Sequence, residues 1–170
     1  GECEDMIAAC GQNGVKLQIG FMRRHDQSFR RAKKLLDEGT IGELVFIHSH
    51  TRGPSKPRPW MYDLKKSNGI LAEVNSHDID AIRWFAGSDM EHLYAVAGNY
   101  RNPEAREAYP DYYDSVSVNG KLKNGVGFSI DGALPPEMRR GGKFRVPPKR
   151  TDYPWGGLGG AVVTAAMQDP

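Results

Sequence analysis

The stretch Gly69-Ile-Leu-Ala-Glu-Val-Asn-Ser-His-Asp-Ile-Asp-Ala-Ile-Arg-Trp-Phe-Ala-Gly87 holds the residue types that acid–base chemistry needs. Its spacing predicts one helix over 69–87, with Gly87 as the stop. At about 100° per residue, Glu73, His77, Asp80 and Trp84 share one face within roughly 60°. Leu71, Val74, Ile82 and Phe85 make a second face that should enter a core. A carboxylate four residues before an imidazole can meet it one turn along the helix. Imidazole as a group titrates at about 6.5, so it can take a proton from a hydroxyl near neutral pH. Glu73 and His77 are therefore the candidate catalytic pair, and Asp80 an orienting or packing residue. Asp78 falls on the apolar stripe, where an end-of-core hydrogen bond is its expected role. Asn75, between the pair, is a candidate for substrate contact.

Other residues of chemical interest lie on either side. Arg23 and Arg24 follow a predicted strand, and ligands collect at the C-terminal ends of strands. They are candidates for substrate binding, with surface arginines as the plainer reading. His48 and His50 stand two apart in a predicted strand and so point the same way, as metal ligands can. No Cys or third His is near them in sequence, so no metal site is assigned. Trp60 lies in a Pro-rich loop over 51–67, where an aromatic either packs as a lid or closes over a ligand.

The elements that must position these groups follow from periodicity. Residues 2–13 read as a helix ended by Asn13-Gly14, and Val15-Lys-Leu-Gln-Ile-Gly20 alternates as a strand does. A helix, a tight turn and a strand look like the last unit of an α/β domain. Asp26 is a plausible N-cap for a helix over 27–38, with Phe29, Ala32, Leu35 and Leu36 as its buried stripe and Gly39 as its stop. Residues 43–50 and 91–98 read as strands. Residues 113–118 and 125–130 read as a hairpin around Lys123-Asn124-Gly125. This order argues for an α+β fold, an open and mostly antiparallel sheet with helices on one face. Its uncovered face calls for a partner subunit. Paired Pro and Gly residues break all periodicity in 134–170, which reads as an irregular arm.

Composition excludes several classes. With 39% hydrophobic and 26% charged residues and a net charge of +2, the chain is neither disordered nor a phosphate-neutralising surface, so no nucleic-acid partner is expected. No run of 18 apolar residues exists, so no membrane helix is expected. Cys3 and Cys10 would lie about 10 Å apart along one helix, too far to bridge, which suits a reducing, cytoplasmic compartment. The start at Gly1-Glu2-Cys3 reads as a piece of something longer, with any export signal upstream.

Three segments in order resemble the Gfo/Idh/MocA family of nicotinamide-dependent oxidoreductases: Ile19-Gly-Phe-Met-Arg-Arg-His-Asp-Gln-Ser-Phe29, Asp37-Glu-Gly-Thr-Ile-Gly-Glu43 and Glu73-Val-Asn-Ser-His-Asp-Ile-Asp-Ala-Ile-Arg-Trp84. The resemblance covers about residues 2–130. It implies an N-terminal Rossmann domain, of which 1–20 would be the last helix–strand unit. A substrate and oligomerisation domain over 21–133 would follow, and a divergent segment over 134–170. It implies that His77 is the general acid/base on a substrate hydroxyl, with Glu73 standing where many members have Asp. Arg23 would line the substrate site and is also a candidate cofactor-binding residue. The family's Glu-Lys-Pro segment is not in this chain and would lie upstream of Gly1. So would the main site for NAD or NADP, since no Gly-x-Gly-x-x-Gly turn occurs here.

Oxidising a secondary alcohol removes a hydride from carbon and a proton from oxygen; no side chain accepts the hydride, so a cofactor must. The expected function is hydride transfer between NAD(P) and a sugar, polyol or inositol-like alcohol, in a homodimer or homotetramer built through the open sheet. The fragment alone would be inactive. Two alternatives remain open at this point: nicotinamide-assisted glycoside hydrolysis, which begins with the same oxidation, and a non-catalytic binding or oligomerisation module.

Overall fold

A computed structural model describes residues 1–52 and 57–133; the expected irregular arm over 134–170 lies outside the described residues. Helix α1 covers Glu2–Gln12, and residues 15–20 follow it as extended chain without a strand partner. The strand predicted over 15–20 is therefore corrected. A strand needs a neighbour to pair its backbone N–H and C=O groups, and the described sheet places none beside these residues. The alternation is still visible as Val15, Leu17 and Ile19, which are 58%, 45% and 64% exposed.

Helix α2, Gln27–Asp37, begins as its sequence suggests: the Asp26 carboxylate accepts from the N–H groups of Ser28 and Phe29. Gly39 follows its end at φ +68°, a left-handed conformation that a β-carbon would resist. Strand β1 covers Phe46–Arg52. A 3-10 turn (Pro59–Tyr62) and the short helices α3 (Leu64–Ser67) and α4 (Gly69–Glu73) lead into α5 (Ser76–Ala86). Strands β2 (Met90–Gly98), β3 (Ser115–Leu122) and β4 (Gly127–Ala133) complete the sheet.

The strand order is β1-β4-β3-β2, with β1 parallel to β4 and the other two pairings antiparallel. The β3–β4 hairpin turns at Asn124-Gly125, where Gly125 sits at φ +95° and Leu122 donates to the Val126 carbonyl at 2.8 Å. The element order implied an open, mostly antiparallel sheet with helices on one face; the sheet is open, and the parallel β1–β4 pairing makes it mixed. Ile47, Val116, Val118, Phe128 and Ile130 face α4 and α5, and pack with Ile70, Ile82 and Phe85. Each such side chain contributes roughly 1.5–3 kcal/mol by burial. Phe29 stacks on Phe85 at 5.8 Å and ties α2 to the same core.

Among the described residues no helix packs on the other face. Tyr94 and Val96 on β2 are 71% and 51% exposed, and they share that face with His48, His50 and Asp131 through the strand register. No helix of the described residues is long and apolar enough to cross a membrane. Cys3 and Cys10 are both free thiols.

A buried aspartate behind a candidate active-site histidine

The continuous helix expected over 69–87 is broken, and the break builds the site. Asn75 N–H donates to Ile70 O at 3.0 Å, five residues back, which ends α4. The Asn75 carbonyl then accepts from Asp78 and Ile79 N–H at 2.9 Å each, starting α5 afresh. The first turn of α5 is thereby driven against the sheet. Gly132 of β4 makes room for it: a β-carbon there would lie 2.2 Å from Asn75 Oδ1.

Asp78 is the residue that this kink positions. It is 0% exposed, and its carboxylate is surrounded by donors. Oδ1 accepts from Ser49 Oγ at 2.6 Å, Thr51 Oγ1 at 2.8 Å and Arg23 Nη1 at 2.5 Å; Oδ2 accepts from Asn75 Nδ2 at 2.7 Å. Burial pushes this carboxyl toward the neutral form. The hydrogen bonds from Ser49, Arg23 and Asn75 and the guanidinium charge outweigh it and hold the group below the usual carboxylate range. Asp78 is thus a buried anion with a full shell, far more than an end-of-core hydrogen bond. The signal available in sequence was modest: Ser49 and Thr51 put polar groups on the core-facing side of β1, opposite His48 and His50.

The two arginines are both engaged. Arg23 is 12% exposed, also donates to Thr51 Oγ1 at 3.2 Å, and lies 5.7 Å over the Phe29 ring. Arg24 makes a bidentate pair with Asp80 through Nε at 2.9 Å and Nη2 at 2.8 Å. The hydrogen bond to Asp80 raises the Arg24 pKa above its ordinary value. Asp80 itself is 4% exposed, so its expected orienting and packing role matches its place. The Phe21–Asp26 turn is therefore pinned to α5 by two neighbouring ion pairs, Arg23–Asp78 and Arg24–Asp80.

His77 is half-buried at the edge of this frame, with its ring edge-on to Phe21 at 6.0 Å between centroids. Its Nδ1 is buried and has no hydrogen-bond partner among the described residues. An orphaned buried nitrogen costs about 1–3 kcal/mol, and such groups need an explanation. Glu73 ends α4 as an exposed residue, and no hydrogen bond joins it to His77. α4 ends at Glu73 and α5 begins at Ser76, so the two residues do not share one unbroken helix. Asn75 is 0% exposed and serves Asp78 from beneath. Trp60 is 39% exposed on the 3-10 turn. The parallel pairing of β1 with β4 brings Asp131 beside His50, a third potential ligand that nearness in sequence does not reveal.

An open four-stranded sheet with helices packed on one face defines an α+β domain. Residues 29–145 match the model of the GFO/IDH/MocA C-terminal domain, and the chain belongs to that family. It is 29% identical over 130 residues, 76% of this chain, to the uncharacterized oxidoreductase YrbE of Bacillus subtilis, of which it covers 37%. It is 37% identical over 104 residues to the inositol 2-dehydrogenase of Rhizobium meliloti, covering 61% of this chain and 30% of that one. A scyllo-inositol dehydrogenase from Lactobacillus casei, solved with NAD(H) and scyllo-inositol bound, superposes at a TM-score of 0.62 with 29% identity. That alignment covers 78% of this chain and 39% of the other. The chain thus spans about a third of the length of these relatives.

The dinucleotide itself does not fit the residues present. No Gly-x-Gly-x-x-Gly turn occurs in the sequence, and no strand of the described sheet feeds a glycine-rich helix start that would receive a pyrophosphate.

Proposed function

We propose that this chain is the alcohol-binding part of a nicotinamide-dependent oxidoreductase acting on an inositol-like polyol or sugar. The observation that carries the reading is half-buried His77, whose Nδ1 is buried without a partner among the described residues, held beside the Arg23–Asp78 frame in a family whose relatives include inositol 2-dehydrogenases. Nδ1 is closed off from solvent, so the other ring nitrogen, Nε2, is the one placed to take the proton of a substrate hydroxyl. A nicotinamide, when bound by residues other than those described, would supply the hydride acceptor that no side chain can provide. Arg23 and Asn75 support the site from behind. Arg24, Glu73 and Trp60 are the exposed or partly exposed groups left to meet the substrate's other hydroxyls.

The wider arrangement belongs to the same reading. Residues 1–20 are the end of a dinucleotide-binding domain, whose missing neighbours would cover Val15, Leu17 and Ile19. Residues 21–133 are the substrate domain, and its sheet face away from the helices packs on a second subunit. NAD is the preferred cofactor, by analogy with the Lactobacillus casei enzyme. A cytoplasmic location suits the free thiols.

The experiment is steady-state turnover of the intact protein with inositols and simple sugars plus NAD. His77→Ala should lower kcat by about 10²-fold or more while nucleotide affinity stays unchanged. Turnover retained by that variant would remove His77 from the chemistry. Net formation of reduced cofactor separates dehydrogenation from redox-neutral reactions that begin with the same oxidation.

A further inference from the structure

We propose that His48, His50 and Asp131 form a binding site for a divalent transition-metal ion of the zinc class, apart from the His77 site and on the sheet face away from the helices, the face through which the proposed second subunit would pack. The three side chains each offer one ligand atom, and these atoms lie within 4.8 Å of one another. Their meeting follows from the backbone. Residues two apart on a strand point to the same face, so His48 and His50 project side by side from β1. The parallel register then sets Asp131 directly beside His50, and Ser129 beside His48.

The second contact of His48 supports a ligand role. Its Nδ1 pairs with Ser129 Oγ, and its Nε2 stands 3.8 Å from Asp131 Oδ2. A metal-binding imidazole is generally oriented in this way, one ring nitrogen held by a polar neighbour and the other left for the ion. Two imidazoles and one carboxylate are a ligand set that zinc accepts, with bonds of about 2.0–2.2 Å and a fourth position open to water. The His48 and Asp131 ligand atoms are 3.8 Å apart and all three lie within 4.8 Å of one another, so the side chains must close by roughly an ångström to share an ion at bonds of about 2.0–2.2 Å. Magnesium and calcium prefer all-oxygen shells and should not compete. An ion held here would clip edge strand β1 to β4, and binding to the folded state alone raises stability by mass action.

The test is zinc titration of the intact protein after chelator dialysis, using a chromophoric competitor. The wild type should hold one more zinc per chain than the His48→Ala/His50→Ala variant, with micromolar affinity. Asp131→Asn should weaken that step about tenfold or more. His92→Ala, an exposed histidine elsewhere on the sheet, should leave it unchanged. Cobalt should give visible absorption bands in the wild type that the double variant lacks, and magnesium should give no saturable binding. Melting curves without metal confirm that the variants fold; if the double variant does not, Asp131→Asn alone decides. Equal zinc stoichiometry and affinity in wild type and Asp131→Asn would overturn the proposal.

Discussion

Arg23 and Asp78 are 55 residues apart in sequence, yet Arg23 Nη1 donates to Asp78 Oδ1 at 2.5 Å across the junction between the Phe21–Asp26 turn and α5. The pair is almost dry: the two side chains are 12% and 0% exposed. It fastens the turn that carries Phe21, and Phe21 in turn flanks His77. The ion pair therefore reaches the candidate catalytic histidine through one aromatic ring.

Breaking this pair from one side should be costly. Arg23→Met removes the cation and leaves the Asp78 charge buried, which costs about 3–5 kcal/mol when a partner is lost outright. Ser49, Thr51 and Asn75 remain as donors, so the lower end of that range is expected. Chemical denaturation of the intact protein measures it. Arg23→Met within about 0.5 kcal/mol of wild type, the usual range for inconsequential surface changes, would show the pair to be incidental.

The pH dependence follows from Asp78 being held below its ordinary pKa. Its contribution to stability is present in full above the unfolded carboxylate value, about 4, and disappears as pH falls through the lowered folded value. Asp78→Asn should be less stable than wild type at neutral pH, and the gap should narrow on acidification. Melting temperatures of both proteins between pH 7 and the acid limit would check this. A gap that stays constant would mean that Asp78 is not the titrating group.

His77 should show a conflict between stability and function. Its buried Nδ1 has no partner among the described residues, so replacing the ring with an apolar side chain removes an unsatisfied group. His77→Leu should be neutral or stabilising by about 1 kcal/mol, yet lose turnover. A large loss of stability would instead mark His77 as a packing residue.

Gly132 is predicted to be intolerant of any side chain. A β-carbon there would meet Asn75 Oδ1 at 2.2 Å, where the kink between α4 and α5 touches β4. Gly132→Ala should cost about 1–3 kcal/mol, as overpacked interiors do. Because Asn75 also donates to Asp78, the substitution should lower kcat through the displaced frame. Unchanged activity and stability would show that the kink adapts freely.

Loop anchoring by Asp114 gives a further test. This 0% exposed carboxylate accepts from the N–H groups of Tyr100, Arg101 and Asn102 at 3.0, 2.7 and 2.8 Å, and from Asn102 Nδ2 at 2.9 Å. Asp114→Ala should cost about 2–4 kcal/mol, since several buried donors lose their acceptor together. Hydrogen exchange should accelerate at residues 100–102 first. Uniform exchange across the sheet would argue against a local anchor.

The chain itself determines every element whose stabilising contacts are local or periodic. The Asp26 cap, the stripe of α2, the Asn124-Gly125 turn and the Gly87 stop are all legible, because each depends on neighbours within a few residues. His77 was visible for the same reason, as a chemically capable residue beside a core stripe. What needed the tertiary structure was every relationship that crosses the sheet. Asp78 looked misplaced on an apolar stripe until Ser49, Thr51 and Arg23 converged on it from β1 and the turn. The Glu73–His77 pairing assumed an unbroken helix, and packing against Gly132 accompanies the break. Residues 15–20 carry a strand's pattern but have no strand beside them, since pairing is a property of two segments and alternation of only one. His48 and His50 pointed the same way from their spacing alone. Asp131 joined them only when β4 lay parallel to β1, because register between distant strands is set by the folded core and not by either strand's own sequence.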